Sequence, residues 1–153
     1  MKDDSPGIFV PPPLLFIVAL GIGVLVDGNV LRWRHETHLS QWAGAAVALA
    51  GFLLIGVTLA LFRRHRTRPE PWEPASTLIA AGPYRLSRNP MYLGMAITAA
   101  GIAQFFESIV ALVLIAAVII VIDRWVIARE EAYLARQFGD EFSAYRRKVR
   151  RWI

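Results

Sequence analysis

Leu39-Ser40-Gln41-Trp42-Ala43-Gly44-Ala45-Ala46-Val47-Ala48-Leu49-Ala50-Gly51-Phe52-Leu53-Leu54-Ile55-Gly56-Val57-Thr58-Leu59-Ala60-Leu61-Phe62 runs for 24 residues without one charge and is closed by Arg63 and Arg64. About 20 predominantly apolar residues are needed to cross a bilayer as a helix. This stretch meets that length, and its neighbours repeat the pattern. Upstream, Ile8–Val26 is free of Lys, Arg and Glu; downstream lie Met91–Phe106 and Ser108–Ile122, parted only by Glu107. A single helix from Met91 to Ile127 would be far too long for one crossing. The pair therefore reads as a tight helical hairpin, its second arm continuing through Trp125-Val126-Ile127 into the interface. The chain is expected to be an all-α integral membrane protein of one domain, 1–153, with about four transmembrane helices near 9–26, 40–62, 90–106 and 108–127.

Composition agrees. Of 153 residues, 56% are hydrophobic, yet the net charge is +5. A soluble basic domain needs polar residues to cover its surface, and rarely combines the two. With four spans both termini fall on one side. That side carries Lys2, Arg63, Arg64, Arg66, Arg68, Arg85, Arg88, Arg124, Arg129, Arg136, Arg146, Arg147, Lys148, Arg150 and Arg151, fifteen in all, against Arg32 and Arg34 on the other. The positive-inside bias then makes both termini cytoplasmic. Cations beside membrane segments face anionic headgroups, so the basic excess needs no nucleic acid to explain it. There is no cysteine, which excludes disulfides, thiol catalysis and cysteine-bound zinc. Lys2 is followed by Asp3 and Asp4, and no small-residue cleavage site follows the first apolar run, so the first helix is expected to be retained.

Pro11-Pro12-Pro13 suits a helix start, where the first amides lack partners anyway. Gly21, Gly23, Gly44, Gly51 and Gly56 are expected to let membrane helices approach closely. Gly21-Ile22-Gly23 is no nucleotide fingerprint, because no strand precedes it and the third glycine is missing. His35-Glu36-Thr37-His38 lacks the four-residue histidine spacing of the helical zinc motif and reads as a solvated loop, with no metal expected. Asp27 and Asp123 read as helix-end charges.

Thr67–Asn89 is the longest polar connection. Pro69, Pro71, Pro74 and Pro83 keep it from forming one regular helix; it is either a linker or a functional element. Beyond Arg129 the tail is highly charged, but Leu134, Phe138, Phe142, Tyr145, Val149 and Trp152 or Ile153 recur at helical spacing. This predicts an amphipathic interfacial helix, or two broken near Gly139.

Two constellations carry chemistry. In Gly82-Pro83-Tyr84-Arg85-Leu86-Ser87-Arg88-Asn89-Pro90-Met91-Tyr92, Asn89 reads as a cap and Pro90 as the first helical residue. A helix N-terminus with Arg88 beside it favours an anion, and Tyr84 and Tyr92 offer aromatic faces for a base or a cation; an ordinary capped helix with interfacial tyrosines has the same pattern. In Arg129-Glu130-Glu131 two carboxylates meet the membrane boundary, where they are costly unless paired or functional. Adjacent helical residues point about 100° apart, so one can face a pocket while the other pairs with an arginine.

Taken together, Ser76-Thr77-Leu78-Ile79, Gly82-Pro83-Tyr84, Arg88-Asn89-Pro90-Met91-Tyr92-Leu93-Gly94, Glu130-Glu131, Phe138-Gly139-Asp140-Glu141-Phe142 and Tyr145 resemble the isoprenylcysteine carboxyl methyltransferase family, which belongs with the phospholipid (phosphatidylethanolamine) methyltransferases. The likeness covers about residues 76–150. It implies an integral membrane enzyme that uses S-adenosyl-L-methionine without a Rossmann domain. It also implies a cofactor site lined by Ser76, Thr77, Leu78, Ile79, Tyr84, Arg88, Asn89, Pro90, Met91, Tyr92 and Glu130. The cofactor's carboxylate would suit the helix N-terminus with Arg88 and Asn89; its amino group or ribose hydroxyls would suit Glu130; its adenine and sulfonium would suit Tyr84 and Tyr92. The tail helix would cover the site. Two departures stand out. Asn89 occupies the place of the carboxyl methyltransferases' histidine, as in the phospholipid methyltransferases and many bacterial relatives. Val126 stands where the carboxyl methyltransferases have a substrate-side arginine, with Arg124 and Arg129 near it.

The expected activity is methyl transfer to a lipophilic acceptor, an amine, carboxylate or thiol, at the cytoplasmic interface. A carboxylate or thiolate needs no base; an ammonium must first lose a proton, and Glu131 is the nearest group for that. The alternative is a non-enzymatic membrane scaffold or lipid-binding protein that kept the fold.

Overall fold

A computed structural model describes residues 10–31, 38–67 and 76–153. Asp3, Asp4, the His35-Glu36-Thr37 stretch and Pro69, Pro71 and Pro74 lie outside them. Among the described residues five α-helices follow one another: α1 Pro12–Val26, α2 His38–Arg64, α3 Pro90–Phe105, α4 Ile109–Val121 and α5 Ala128–Lys148. No strand occurs among the described residues. Pro11 precedes α1 in extended conformation, with prolines in the first turn; their fixed φ suits the helix and their missing N–H groups had no partner there.

The protein is an all-α integral membrane protein. Among the described residues three helical stretches are long and apolar enough to cross a bilayer: Pro12–Asn29, Ser40–Arg64 and the run that begins at Ile109. α3 is shorter, with 16 residues, or about 24 Å. It is the central helix all the same, with Tyr92, Gly94, Ala96, Ala99, Gly101 and Ala103 buried along it. The run from Ile109 continues through a π-helical segment, Ile122–Ile127, into α5 and reaches Lys148. Even up to the break at Gly139 the run counts 30 residues, from Ile109 to Phe138, or about 45 Å at 1.5 Å each, which is more than one crossing of the hydrocarbon needs.

The reversal between α3 and α4 falls at Glu107, as its isolation among apolar residues suggested. Glu107 takes a left-handed φ of 53°, and the amides of Glu107 and Ser108 donate to the carbonyls of Gln104 and Ala103. These two bonds form a Schellman ending. Ser108 then caps α4 by accepting from the Ala111 amide.

Packing is by close backbone approach. A Cβ on Gly44 would lie 2.5 Å from the Phe105 nitrogen, one on Gly51 would lie 2.5 Å from the Thr98 nitrogen, and one on Gly101 would lie 2.3 Å from the Ala48 nitrogen. The α2–α3 seam is thus made of glycines at helical spacing, which admit contacts that lipid-facing side chains forbid. Gly23 meets Ala111 in the same way and joins α1 to α4. Gly21 and Gly56 have open space around them; of the five glycines expected at helix contacts, these two are not. Phe16, Tyr92, Ala96, Ala99, Ala103, Ala111, Ile115, Ile122, Val126 and Ile127 form the core, while Trp42, Leu49, Phe52 and Leu53 of α2 face outward.

Asp27 stands where α1 passes into a π-helical segment, Asp27–Leu31, rather than at the end of the helical run, and the helix end it serves is the start of α4. Its buried carboxylate accepts from Ser108 Oγ at 2.5 Å and from the Val110 amide at 3.0 Å, an acidic group at the positive end of the dipole.

Candidate functional site

The polar residues gather where α3 begins and α5 leaves the bundle. A 3₁₀ turn, Gly82–Arg85, carries Tyr84 to this end. Gly82 has a φ of 57°, a left-handed conformation that glycine adopts without penalty. Tyr84 packs edge-on against Phe62 of α2, with ring centroids 6.2 Å apart.

Glu130 and Glu131 part as the helical geometry predicts. Glu130 turns toward α3, where the Tyr92 hydroxyl donates to its Oε1 at 2.7 Å. Among the described residues none donates to the other oxygen. Burial pushes the Glu130 carboxyl up to about 7; the hydrogen bond from Tyr92 opposes the rise and the Glu131 charge adds to it. Burial likewise raises the Tyr84 phenol, reinforced by the charges of Glu130 and Tyr145. Tyr84, Tyr92 and Glu130 thus form one electrostatic group.

Glu131 turns the other way. Arg88 donates to its Oε1 from Nη2 at 2.6 Å and from Nε at 3.2 Å. Arg151 donates to Oε2 from Nη2 at 2.6 Å. Burial would raise this carboxyl, but the hydrogen bonds and charges of Arg151 and Arg88 outweigh it and hold the group below the usual carboxylate range. A carboxylate clamped in its charged form by two guanidinium groups is a poor proton acceptor, which argues against Glu131 as a base.

Arg88 and Asn89 sit differently from the expectation of a free anion site. The remaining Arg88 nitrogen, Nη1, donates to the carbonyls of Val149 and Arg146 at 2.6 and 3.3 Å, so every guanidinium nitrogen is engaged inside the protein. Asn89 precedes Pro90 at the helix start, but its side chain makes no cap. Instead Nδ2 donates to the Arg151 carbonyl at 3.0 Å. The first amide bonded in the helical ladder is that of Leu93, to Asn89, which leaves the Met91 and Tyr92 amides as the dipole's positive end. Met91 is partly buried and Pro90 is buried.

Ser76 and Thr77 are exposed, Leu78 is partly buried and Ile79 is buried. The Ser76 amide donates to Thr67 Oγ1 at 3.4 Å. Among the described residues no hydrogen bond joins Ser76–Ile79 to Tyr92 or Glu130, and the side chains of Pro90 and Met91 likewise have no hydrogen bond to these two.

α5 does break near Gly139, whose φ of 50° and ψ of −118° are non-helical. The break lets Phe142 bury itself and Tyr145 donate to the Tyr84 carbonyl at 2.7 Å. The helix stops at Lys148, so Val149 and Trp152 do not continue its apolar face as the spacing suggested. Val149 leaves the helix in extended conformation, and residues 149–151 then bond along the start of α3. The Arg88 amide donates to the Arg150 carbonyl at 2.9 Å, and Ser87 Oγ to the Arg151 carbonyl at 3.3 Å. Arg151 Nη1 reaches Asp123 Oδ1 at 3.2 Å, and the Trp152 indole donates to the same oxygen at 2.8 Å. Arg151, Asp123 and Ser87 had no distinguishing sequence signal: Arg151 is one of five cations between residues 146 and 151.

Fold and site define an integral membrane protein with a carboxylate–tyrosine cluster where its helices emerge. The phospholipid methyltransferase family model matches residues 39–141, and the chain belongs to that family. A protein of Haemophilus influenzae described as uncharacterized is 57% identical over 35 residues, which make up 23% of this chain and 56% of that protein. The match thus spans little more than half of that relative's length. No solved structure matches.

Proposed function

We propose that the protein is an S-adenosyl-L-methionine-dependent methyltransferase whose acceptor is lipophilic and reaches the site from the membrane. The observation that carries this reading is Glu130: a carboxylate at the membrane boundary with one oxygen held by Tyr92 and the other without a donor among the described residues. Glu130 is half-buried, and a carboxylate at this boundary with one oxygen left for a further partner is placed to meet a ligand. Membership of the phospholipid methyltransferase family supports the chemistry.

The residues fit this cofactor, with roles somewhat changed. Glu130 would accept from its amino group or ribose hydroxyls. The Met91 and Tyr92 amides at the start of α3 would face its carboxylate, and Tyr84 and Tyr92 would offer rings to its adenine and sulfonium. Arg88 and Asn89 would shape the site through their bonds to Glu131 and the tail. Ser76–Ile79 would form an outer wall, and α5 would shield the site from water. The cofactor supplies a methyl group made electrophilic by its sulfonium; the chain's contribution is to hold donor and acceptor in line. A carboxylate or thiolate acceptor needs no base. For an amine acceptor, Glu130 rather than Glu131 has a proton affinity suited to neutral pH.

The topology that fits is four spans in one domain, 1–153, with α3 as the third, both termini cytoplasmic and the site at the cytoplasmic interface. Fifteen cations on that side against two on the other support it.

Isothermal titration of the purified protein with S-adenosyl-L-methionine tests the reading. Saturable binding that Glu130→Ala and Tyr92→Ala weaken is expected. Absence of binding by the wild type sinks the enzyme and leaves a scaffold or lipid-binding role; binding that both variants retain overturns the site assignment. Lipid and thiol extracts incubated with methyl-labelled cofactor then identify the acceptor.

A further inference from the structure

Residues 149–152 make more contacts with the start of α3 and the exit of α4 than a passive tail would need. Four bonds join them to Ser87–Asn89: the Arg88 amide to Arg150, Arg88 Nη1 to Val149, and Ser87 Oγ and Asn89 Nδ2 to Arg151. On the other side Arg151 and Trp152 hold Asp123, in the π-helical segment. Arg151 also donates to both oxygens of Glu131, at 2.6 and 3.3 Å. One side chain therefore joins the exit of α4, the first turn of α5 and, through Glu131 and Arg88, the start of α3. Glu130 is the next residue along, and its position against Tyr92 depends on where that first turn sits.

We infer that the segment Val149–Trp152 is part of the cofactor site and that Arg151 is its positioning residue, acting on Glu130 through Glu131. This rests on the reading of Glu130 as a cofactor-facing carboxylate. Among the described residues, the titratable groups that act electrostatically with Glu130 are Tyr92 from α3, Tyr84 from the 3₁₀ turn and Glu131 on its own helix, which also carries the adjacent cation Arg129. Glu131 in turn is flanked by Arg88 and Arg151, with Asp123 behind Arg151. The Glu131 charge works against ionisation of Glu130, and Arg151 offsets that charge. Removing Arg151 both loosens the first turn of α5 and leaves Glu131 with Arg88 alone, so Glu130 should ionise at higher pH.

The test uses the full chain in detergent micelles. Cofactor affinity is measured by calorimetry from about pH 6 to 9, which brackets the ionisation of Glu130. The midpoint of Glu130 is read separately, without cofactor, by NMR of ¹³C-labelled glutamate carboxyls assigned with Glu130→Gln. Arg151→Ala is expected to weaken binding about tenfold at neutral pH, the scale of one hydrogen bond to a charged group, and to raise the midpoint. Arg151→Lys, which keeps the charge but loses the fork, should restore part of both. Adding Glu131→Gln to Arg151→Ala should bring the midpoint back down. A uniform loss of affinity at every pH with an unmoved midpoint, as a merely structural role would give, overturns the inference. Should Arg151→Ala not fold, Arg151→Lys carries the test, with a smaller rise expected and an unmoved midpoint overturning it. A midpoint that moves while even the wild type binds no cofactor defeats the methyltransferase reading and leaves the Arg151–Glu131–Glu130 linkage standing. A fixed midpoint with intact wild-type binding does the reverse.

Discussion

The Tyr92 hydroxyl and the Glu130 carboxylate, 38 residues apart in the chain, meet at 2.7 Å and join the first turn of α5 to the first turn of α3. Tyr92 lies in the first turn of α3 and Glu130 in the first turn of α5. Both are at the same end of the bundle because the α3–α4 hairpin returns the chain there. Tyr92→Phe keeps the ring and deletes the bond. Since that bond favours the charged carboxylate, the variant should hold Glu130 protonated to higher pH. Cofactor affinity should fall about tenfold near neutrality and recover part of the loss in more alkaline buffer. Calorimetry at two pH values checks it; equal losses at both would count against Glu130 as the responding group.

Glu130 and Glu131 also give stability opposite pH dependences. The Glu130 carboxyl is raised from 4.5 to about 7 by folding. Between those values the folded state binds the extra proton, so the stability linked to Glu130 is fully present below 4.5 and is lost as pH rises through about 7. Glu131 is depressed; its contribution is present above its unfolded value and is lost as pH falls through the lower folded one. Thermal melts of the cofactor-free protein should show stability declining from mildly acidic to neutral pH, and Glu130→Gln should flatten that decline. A wild-type profile already flat across the interval would show that Glu130 is not held in its protonated form.

The helices were legible because the bilayer writes them locally: an uncharged run of sufficient length has few other uses. The hairpin at Glu107 and the break at Gly139 were legible for the same local reason. So was the divergence of Glu130 from Glu131, which follows from the helical turn alone. The tertiary choices were not. Asn89 precedes a helix-starting proline in the pattern of a cap, yet its amide goes to a carbonyl 62 residues away. Arg88 sits at a helix N-terminus in the pattern of an anion site, yet Glu131 and two carbonyls take all its nitrogens. Trp152 fits an apolar helical period, yet the helix has ended and its indole serves Asp123. In each case a local signal met a partner that only the folded chain brings within reach.

The α2–α3 seam predicts unequal tolerance of alanine among glycines in apolar helices. A methyl at Gly101 would meet the Ala48 nitrogen at 2.3 Å and the Gly44 carbonyl oxygen at 2.7 Å, whereas one at Gly56 meets nothing within 4 Å. Backbone cannot rotate away as a side chain can, so Gly101→Ala should force the two helices apart, at a cost of about 1–3 kcal/mol. Gly56→Ala should be neutral or slightly stabilising, because alanine is the better helix former. Thermal unfolding in detergent checks both; a harmless Gly101→Ala would contradict the seam.

Arg88 and Glu131 form a pair with side chains only 10% and 9% exposed. Removing Glu131 leaves the Arg88 charge buried without a counter-charge and costs about 3–5 kcal/mol, whereas removing Arg88 leaves Glu131 held by Arg151 at both oxygens. Glu131→Ala should therefore destabilise strongly and Arg88→Ala less, and the double variant should lose less than their sum. Arg88→Lys should not rescue fully, because an ammonium cannot reproduce the two bonds to Glu131 while also reaching Val149 and Arg146. Additive losses in the double-mutant cycle would mean that the two residues act separately.

At the opposite end of the bundle, Asp27 joins α1 to α4 without touching the candidate site. One carboxylate oxygen accepts from both Ser108 Oγ and the Val110 amide. Asp27→Ala leaves one buried donor, Ser108 Oγ, and one half-buried donor, the Val110 amide, without their acceptor, at about 1–3 kcal/mol, and removes a negative group from the start of α4. Asp27→Asn keeps an acceptor oxygen and loses only the charge, so it should cost less. Because Tyr92 lies at the other end of α3 and Glu130 in α5, beyond the far end of α4, affinity for S-adenosyl-L-methionine in the fraction that remains folded should be unchanged in both variants. Thermal melts give the first ranking and calorimetry the second. Lowered affinity in folded Asp27→Asn would mean that the two ends of the bundle are coupled, and that the α1–α4 junction contributes to the site as well as to the fold.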